Sequence, residues 1–95
     1  MTEPRLSDED VASAMTELPL WRREGDTITR TVTAPDFLTG IGYVTKVATA
    51  AEDANHHPDI DVRWRDVTFR LSTRDAGGLT RLDMVMAKQV DSITS

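Results

Sequence analysis

Both histidines of this 95-residue chain stand side by side, in Asn55-His56-His57-Pro58. An imidazole has a reference pKa near ~6.5, so it gives and takes protons at neutral pH, and two of them around one ligand can do both jobs. Carboxylates lie within reach in sequence at Glu52 and, further on, at Asp75 and Asp83. The same tetrapeptide also suits an ordinary helix exit, where Asn, His and Pro are common and a cation is favoured by the negative end of the dipole. No metal is expected. Adjacent residues project in different directions, there is no third histidine and no cysteine to complete a zinc site, and Glu52, Asp53 and Asp59 lack ligand spacing. Gly77-Gly78 lacks the lysine of a phosphate-binding loop, and no serine-hydrolase elbow occurs.

The pattern around these groups says what could bring them together. Ile60, Val62 and Trp64 alternate on even numbers, and Val67, Phe69 and Leu71 on odd numbers, the period of two strands sharing one buried face. Joined through Arg65-Asp66, the strands pair Trp64 with Val67, Val62 with Phe69 and Ile60 with Leu71, while Asp61 faces Arg70 on the other side. Continued outward, this register carries residues 56 and 57 toward residues 74 and 75, with Asp83 shortly beyond the loop. Two imidazoles, Arg74 and the carboxylates of Glu52, Asp83 and Asp75 could then converge in an acid–base pocket.

Three helices and a second hairpin complete the pattern. Ser7 and Asp10 form a capping box, with Leu6 stapling onto Val11, and Val11, Ala14, Met15 and Leu18 follow at helical spacing up to Pro19. Leu20 to Thr33 reads as a hairpin that turns at Gly25-Asp26, buries Trp21, Ile28 and Val32, and exposes threonines. Pro35-Asp36 opens the longest helix, whose stripe is Phe37, Ile41, Val44, Ala48 and Ala51 and which ends near Asn55; Gly40 and Gly42 call for close packing on the sheet. Thr80 and Asp83 make another capping box, and Leu82, Val85, Met86, Val90 and Ile93 mark the last helix. The order α-β-β-α-β-β-α predicts an α+β fold, an antiparallel sheet covered by helices on one face.

Residues 1–95 are expected to form one domain that buries only ~60–70% of its unfolded surface, so that self-association would help it. The absence of cysteine, of an apolar leader at Met1-Thr-Glu-Pro-Arg and of any stretch long enough for a bilayer predicts a soluble cytoplasmic protein. Sixteen acidic residues against eleven basic ones, a formal charge of −5, argue against a nucleic-acid partner. Arg63, Arg65, Arg70, Arg74 and Arg81 suit the solvated face of a sheet and a helix start.

The spacing as a whole resembles that of the pterin-4a-carbinolamine dehydratase family. Glu52, three residues, His56-His57-Pro58, five residues, Trp64, nine residues to position 74 and eight more to Asp83 repeat its motif. Ser72-Thr73, Gly78-Leu79-Thr80, the Trp21 strand and the Phe37 helix also stand where the family has them, so the likeness covers nearly the whole chain. The resemblance implies a four-stranded antiparallel sheet with helices on one side, in homodimers or homotetramers. It implies the dehydration of 4a-hydroxytetrahydropterin, the product of aromatic amino acid hydroxylases, to the quinonoid dihydropterin, with no metal or organic cofactor. On this likeness His56 and His57 are catalytic, Glu52 and Asp83 support them from behind, and Ser72, Thr73 and Arg74 line the pterin. The sequence departs from the motif at Arg74, where the family usually has a third histidine; a guanidinium keeps its proton throughout the accessible range. Some members of the family bind a transcription factor's dimerisation helices or resemble assembly factors for Rubisco. The departure at Arg74 favours such a protein-binding role, through the helices 8–18 and 81–93, as the alternative.

Overall fold

The computed structural model describes residues 3–95; Met1 and Thr2, which belong to the N-terminal stretch read above for a leader, lie outside the described residues. The chain runs α1 (Asp8–Met15), β1 (Arg22–Glu24), β2 (Thr27–Thr33), α2 (Phe37–Ala54), β3 (Asp59–Arg63), β4 (Asp66–Leu71), a 3-10 turn (Arg74–Ala76) and α3 (Arg81–Thr94). All strand pairs are antiparallel, in the spatial order β1-β2-β4-β3. This is the α+β architecture expected from the order of the elements.

The pleat sorts the sheet into a dry face and a wet one. On the dry face Val32, Val67 and Val62 form one row across the strands, and Ile28 pairs with Leu71 in another. Between them Arg30, Phe69 and Ile60 line up. Arg30 stands in the middle of this face, and Arg23 of β1 ends the Ile28 row at the sheet edge. The Arg30 guanidinium meets the Asp91 carboxylate of α3, which also accepts a 2.8 Å hydrogen bond from Trp21 Nε1. The opposite face carries Thr31, Thr33, Asp61, Arg63, Asp66 and Arg70, all exposed.

The helices cover the dry face through Val11, Val47, Ala51, Met84, Met86, Ala87 and Val90. Asp36 caps α2 by accepting the Thr39 N–H at 2.7 Å, and Pro35 therefore precedes the cap instead of lying within the first turn. The Thr39 backbone N–H, helped by its side chain, holds the Asp36 carboxyl below the ordinary aspartate value. A depressed carboxyl stabilises the folded state above its unfolded pKa, and that contribution disappears as the pH falls through the lowered folded value. Gly40 brings α2 onto the sheet, since a Cβ there would lie 3.3 Å from Val67 Cγ2; nothing comes near Gly42, so close packing explains only one of the two glycines.

Several expected positions are corrected. The second hairpin turns at Trp64-Arg65, not Arg65-Asp66, so Val62 faces Val67, Ile60 faces Phe69, and Asp59, not Asp61, faces Arg70. A slip of two residues keeps every strand side chain on its face. Trp64, expected in the core, is 72% exposed at the turn with φ 55°. In the first hairpin Gly25 takes the equivalent place, with φ 62°, at no steric cost; a Cβ in this region costs ~1–2 kcal/mol. Trp64→Asn is therefore expected to leave the fold intact and to add up to ~1 kcal/mol of stability, read from urea midpoints at fixed protein concentration. The inward stripe of α2 is the buried Gly40, Val47 and Ala51 with half-buried Val44, while Phe37, Ile41 and Ala48 are exposed. Alanine and glycine are read poorly by hydrophobic periodicity, and here the small residues face the sheet. Val85 of α3 is likewise exposed, with Asp83, Met84 and Ala87 buried in its place.

Candidate active site

The position of His56 is set by the way α2 stops. Asn55 adopts the left-handed conformation, with φ 51°, and donates its N–H to Glu52 O; His56 donates its N–H to Ala51 O at 3.0 Å. These two bonds close a Schellman motif, which satisfies the last carbonyls of the helix and fixes the residue that follows the left-handed one. Pro58 then biases His57 toward extended backbone and leads into β3. The imidazoles are thus presented by the end of α2 and the beginning of β3.

The opposite wall comes from the chain beyond β4. With the observed register, residues 56 and 57 extend toward Thr73 and Ser72, two residues short of the expected 75 and 74, which lie just beyond in the 3-10 turn. Thr73 and Gly78 exchange backbone bonds of 3.0 and 3.3 Å, folding this segment into a closed loop. Between the walls lies a cleft of about 350 Å³, bordered by His56, His57, Ser72, Thr73, Arg74 and Asp75 among others.

A carboxylate stands behind each imidazole. His56 Nε2 is 2.6 Å from Asp83 Oδ1, and the aspartate is fully buried while the imidazole side chain is 11% exposed. Asp83 reaches this depth because it is also the third residue of α3. Its other oxygen accepts from Thr80 N–H at 3.0 Å, as the capping box requires, and from the Thr73 hydroxyl at 2.8 Å. Thr80 Oγ1 lies 2.8 Å from Thr73 Oγ1 and accepts the Leu82 N–H at 3.2 Å. With Thr73 donating to the carboxylate, Thr80 donates to Thr73 and every proton in the cluster has an acceptor, the condition for burying such a network. His57 Nε2 pairs with Glu52 on the last turn of α2, and both side chains are more than half exposed. For both imidazoles Nδ1 makes no hydrogen bond to any described residue.

Glu52, His56, His57, Ser72, Thr73, Arg74 and Asp83, the residues singled out from the sequence, therefore share one locality. Arg74 is exposed at the rim and forms no ion pair among the described residues. The structure adds Thr27, Asn55, Asp59 and Arg70 to the lining and Thr80 to the buried cluster. Thr27 carried no signal of its own, since it arrives through the pairing of β2 with β4. Thr80 was legible only as a helix cap. Among the described residues, no three His, Cys, Asp or Glu side chains gather as a metal-binding group, and no helix is long and apolar enough to cross a membrane.

A pair of carboxylate-backed imidazoles beside a polar cleft can accept one proton and release another, and known proteins share the frame that holds them. The profile of the family described as Pterin 4 alpha carbinolamine dehydratase matches residues 4–93. A Nocardia farcinica protein provisionally named a pterin-4-alpha-carbinolamine dehydratase is 56% identical over 93 residues, which cover 98% of each chain. A Mycobacterium tuberculosis protein with the same provisional name is 47% identical over 93% of this chain and 94% of its own. The crystal structure of a transcriptional coactivator/pterin dehydratase from Brucella melitensis superposes with a TM-score of 0.93 at 30% identity, over 96% of this chain and 99% of that one. A pterin dehydratase-like protein identified as a RuBisCO assembly factor in the alpha-carboxysome shares the fold, with a TM-score of 0.68 at 18% identity over 79% and 89% of the two chains. With the family profile spanning nearly its whole length and close relatives matching end to end, this chain belongs to the pterin-4-alpha-carbinolamine dehydratase family.

Proposed function

We propose that the protein dehydrates 4a-hydroxytetrahydropterin to quinonoid dihydropterin and water in the cytoplasm, as a step of tetrahydrobiopterin recycling. The observation that carries this reading is the pair of imidazoles, each held by a carboxylate, at one cleft in a chain of this family. The C4a–O bond breaks as a proton reaches the departing hydroxyl, and N5 gives up its proton as the C4a=N5 double bond forms. His56 and His57 supply the acid and the base. No metal or organic cofactor takes part, because both transfers are proton movements that imidazole performs alone. Asp83 and Glu52 fix the imidazole tautomers through Nε2 and leave Nδ1 for the ligand. The Ser72–Thr73 segment lines the pterin, and Arg74 holds a pterin carbonyl or the leaving oxygen by hydrogen bonds without exchanging its own proton.

The test generates the carbinolamine in situ with a phenylalanine hydroxylase and follows its loss against the uncatalysed background. His56→Ala is expected to remove ~10²–10⁴-fold of the acceleration. Arg74→His, which restores a third imidazole, is expected to raise the rate by ~10-fold or more. A rate no better than background in the unsubstituted protein would sink the enzymatic reading. Arg74 also favours a second reading, in which the chain serves as a protein-binding or assembly factor presenting α1 and α3 to a partner. That role requires no affinity for reduced pterins, whereas catalysis does.

We further propose that copies of the chain associate as a homodimer or homotetramer. Phe37, Leu38 and Ile41 form an exposed apolar face on α2, of the kind that covers itself by association.

A further inference from the structure

We infer that Arg5 is a positioning residue that straps the β1–β2 turn to the loop after β4, two segments that lead into the lining of the cleft. The inference rests on the dehydratase reading for its substrate, while its geometry stands apart from the histidines. Residues 3–6 run across the loop that follows β4, tied at one end by Glu3 to Arg81 at 2.7 Å and at the other by Leu6 N–H to Leu79 O at 2.8 Å. Between these ties the Arg5 side chain lies directly on Gly78, where an added Cβ would come within 2.7 Å of Nε and 3.2 Å of Cδ and Cζ. Its guanidinium then reaches Asp26 Oδ1 at 3.1 Å.

Asp26 lies in the β1–β2 turn and Gly78 in the loop after β4. The Asp26 carbonyl accepts the Ser72 hydroxyl at 2.8 Å, and its neighbour Thr27 borders the cleft. Gly78 is bridged to Thr73, which borders the cleft and bonds Asp83. One side chain therefore touches the β1–β2 turn and the loop after β4, and both run directly into residues that face the ligand. The ion pair is itself exposed on both sides, so it contributes little to global stability. What it sets is the placement of Thr27, Ser72 and Thr73 at the cleft, and a small displacement of groups around a ligand is felt strongly in binding.

The experiment uses the full chain with Arg5→Ala, Arg5→Lys and Gly78→Ala. Gly78 lies outside the left-handed region, so alanine tests only the contact with Arg5. Arg5→Ala and Gly78→Ala are expected to raise KM for the carbinolamine, and Kd for the probe 7,8-dihydrobiopterin, by roughly three- to tenfold. In both variants kcat and the thermal midpoint stay nearly unchanged, and the Thr73 and Gly78 amides exchange hydrogen faster. Arg5→Lys, which can still pair with Asp26, recovers part of the loss. Unchanged KM, Kd and exchange in Arg5→Ala would overturn the inference. So would a weaker Kd accompanied by a lowered midpoint and faster exchange throughout the sheet, which would mark Arg5 as merely structural. If the unsubstituted protein neither binds dihydrobiopterin nor speeds dehydration, the functional reading falls; exchange at Thr73 and Gly78, compared with the sheet amides, then decides the strap alone.

Discussion

Asp83→Asn is expected to leave the protein folded while removing ~10²–10⁴-fold of its catalytic acceleration. The reason lies in which atoms donate. One Asp83 oxygen accepts from the Thr80 N–H and the Thr73 hydroxyl, and the other faces His56 Nε2. An asparagine must keep its carbonyl toward Thr80, because the reverse orientation sets an amide NH₂ against a backbone N–H. Its NH₂ then faces His56, and Nε2 must give up its proton to become the acceptor. The imidazole turns to the other tautomer and presents Nδ1–H to the cleft instead of a lone pair. It also cannot carry two protons without setting an N–H against the NH₂. Asp83→Ala would confuse this outcome with unfolding, since it strands several buried donors at ~1–3 kcal/mol each. The pairing of activity with the urea midpoint decides the matter. Full activity in a folded Asp83→Asn protein would mean that His56 carries no proton in the reaction.

The largest effect on stability is expected at Phe69. It is fully buried at the centre of the dry face, with Val67 and Leu71 on its own strand and Arg30 and Ile60 across from it. Truncation to alanine removes most of the ring's transfer energy and leaves a cavity that a sheet cannot close, for ~3–5 kcal/mol. A domain of this size is held by only ~5–15 kcal/mol, so Phe69→Ala takes a large part of the total. Urea denaturation at one protein concentration measures it, with an unchanged m-value expected. A loss below ~1 kcal/mol would place the core elsewhere.

The parts of the fold that could be read in advance are those encoded by alternation and by caps. Even-numbered residues in β3 and odd-numbered ones in β4 identified the dry face correctly, because side-chain direction depends only on parity. The register did not follow from parity. It was fixed by a turn at Trp64-Arg65, where a tryptophan occupies a conformation that sequence preference assigns to glycine. The stripe of α2 was only partly placed for a related reason: Val44 and Ala51 face the sheet as expected, but Gly40 and Val47 join them while Phe37, Ile41 and Ala48 face outward, so hydrophobicity pointed to the wrong side over the first turns. At the site, residue types and spacing brought the histidines and the carboxylates of Glu52, Asp75 and Asp83 toward one pocket, and the family resemblance set Glu52 and Asp83 behind the imidazoles they pair with. The pairing of His56 with Asp83 could not be foreseen in detail, since it depends on the depth at which the Thr80 capping box seats the aspartate against Thr73. The contact between Arg5 and Gly78 joins residues at opposite ends of the chain and left no local pattern.

The two tryptophans occupy opposite environments, which gives the molecule a built-in optical readout. Trp21 is sealed in the core with its indole N–H on Asp91, so its emission lies to the blue and is shielded from iodide or acrylamide. Trp64 stands in solvent at the hairpin tip, under the Arg65 guanidinium 4.7 Å from the ring centroid, so its emission lies to the red and is readily quenched. Replacing Trp64 by phenylalanine leaves a single fluorophore that reports when α3 leaves the sheet, and replacing Trp21 leaves one that reports only on the far end of the hairpin. Unfolding of the core and events at that tip can thus be followed separately in one cuvette, with no label added.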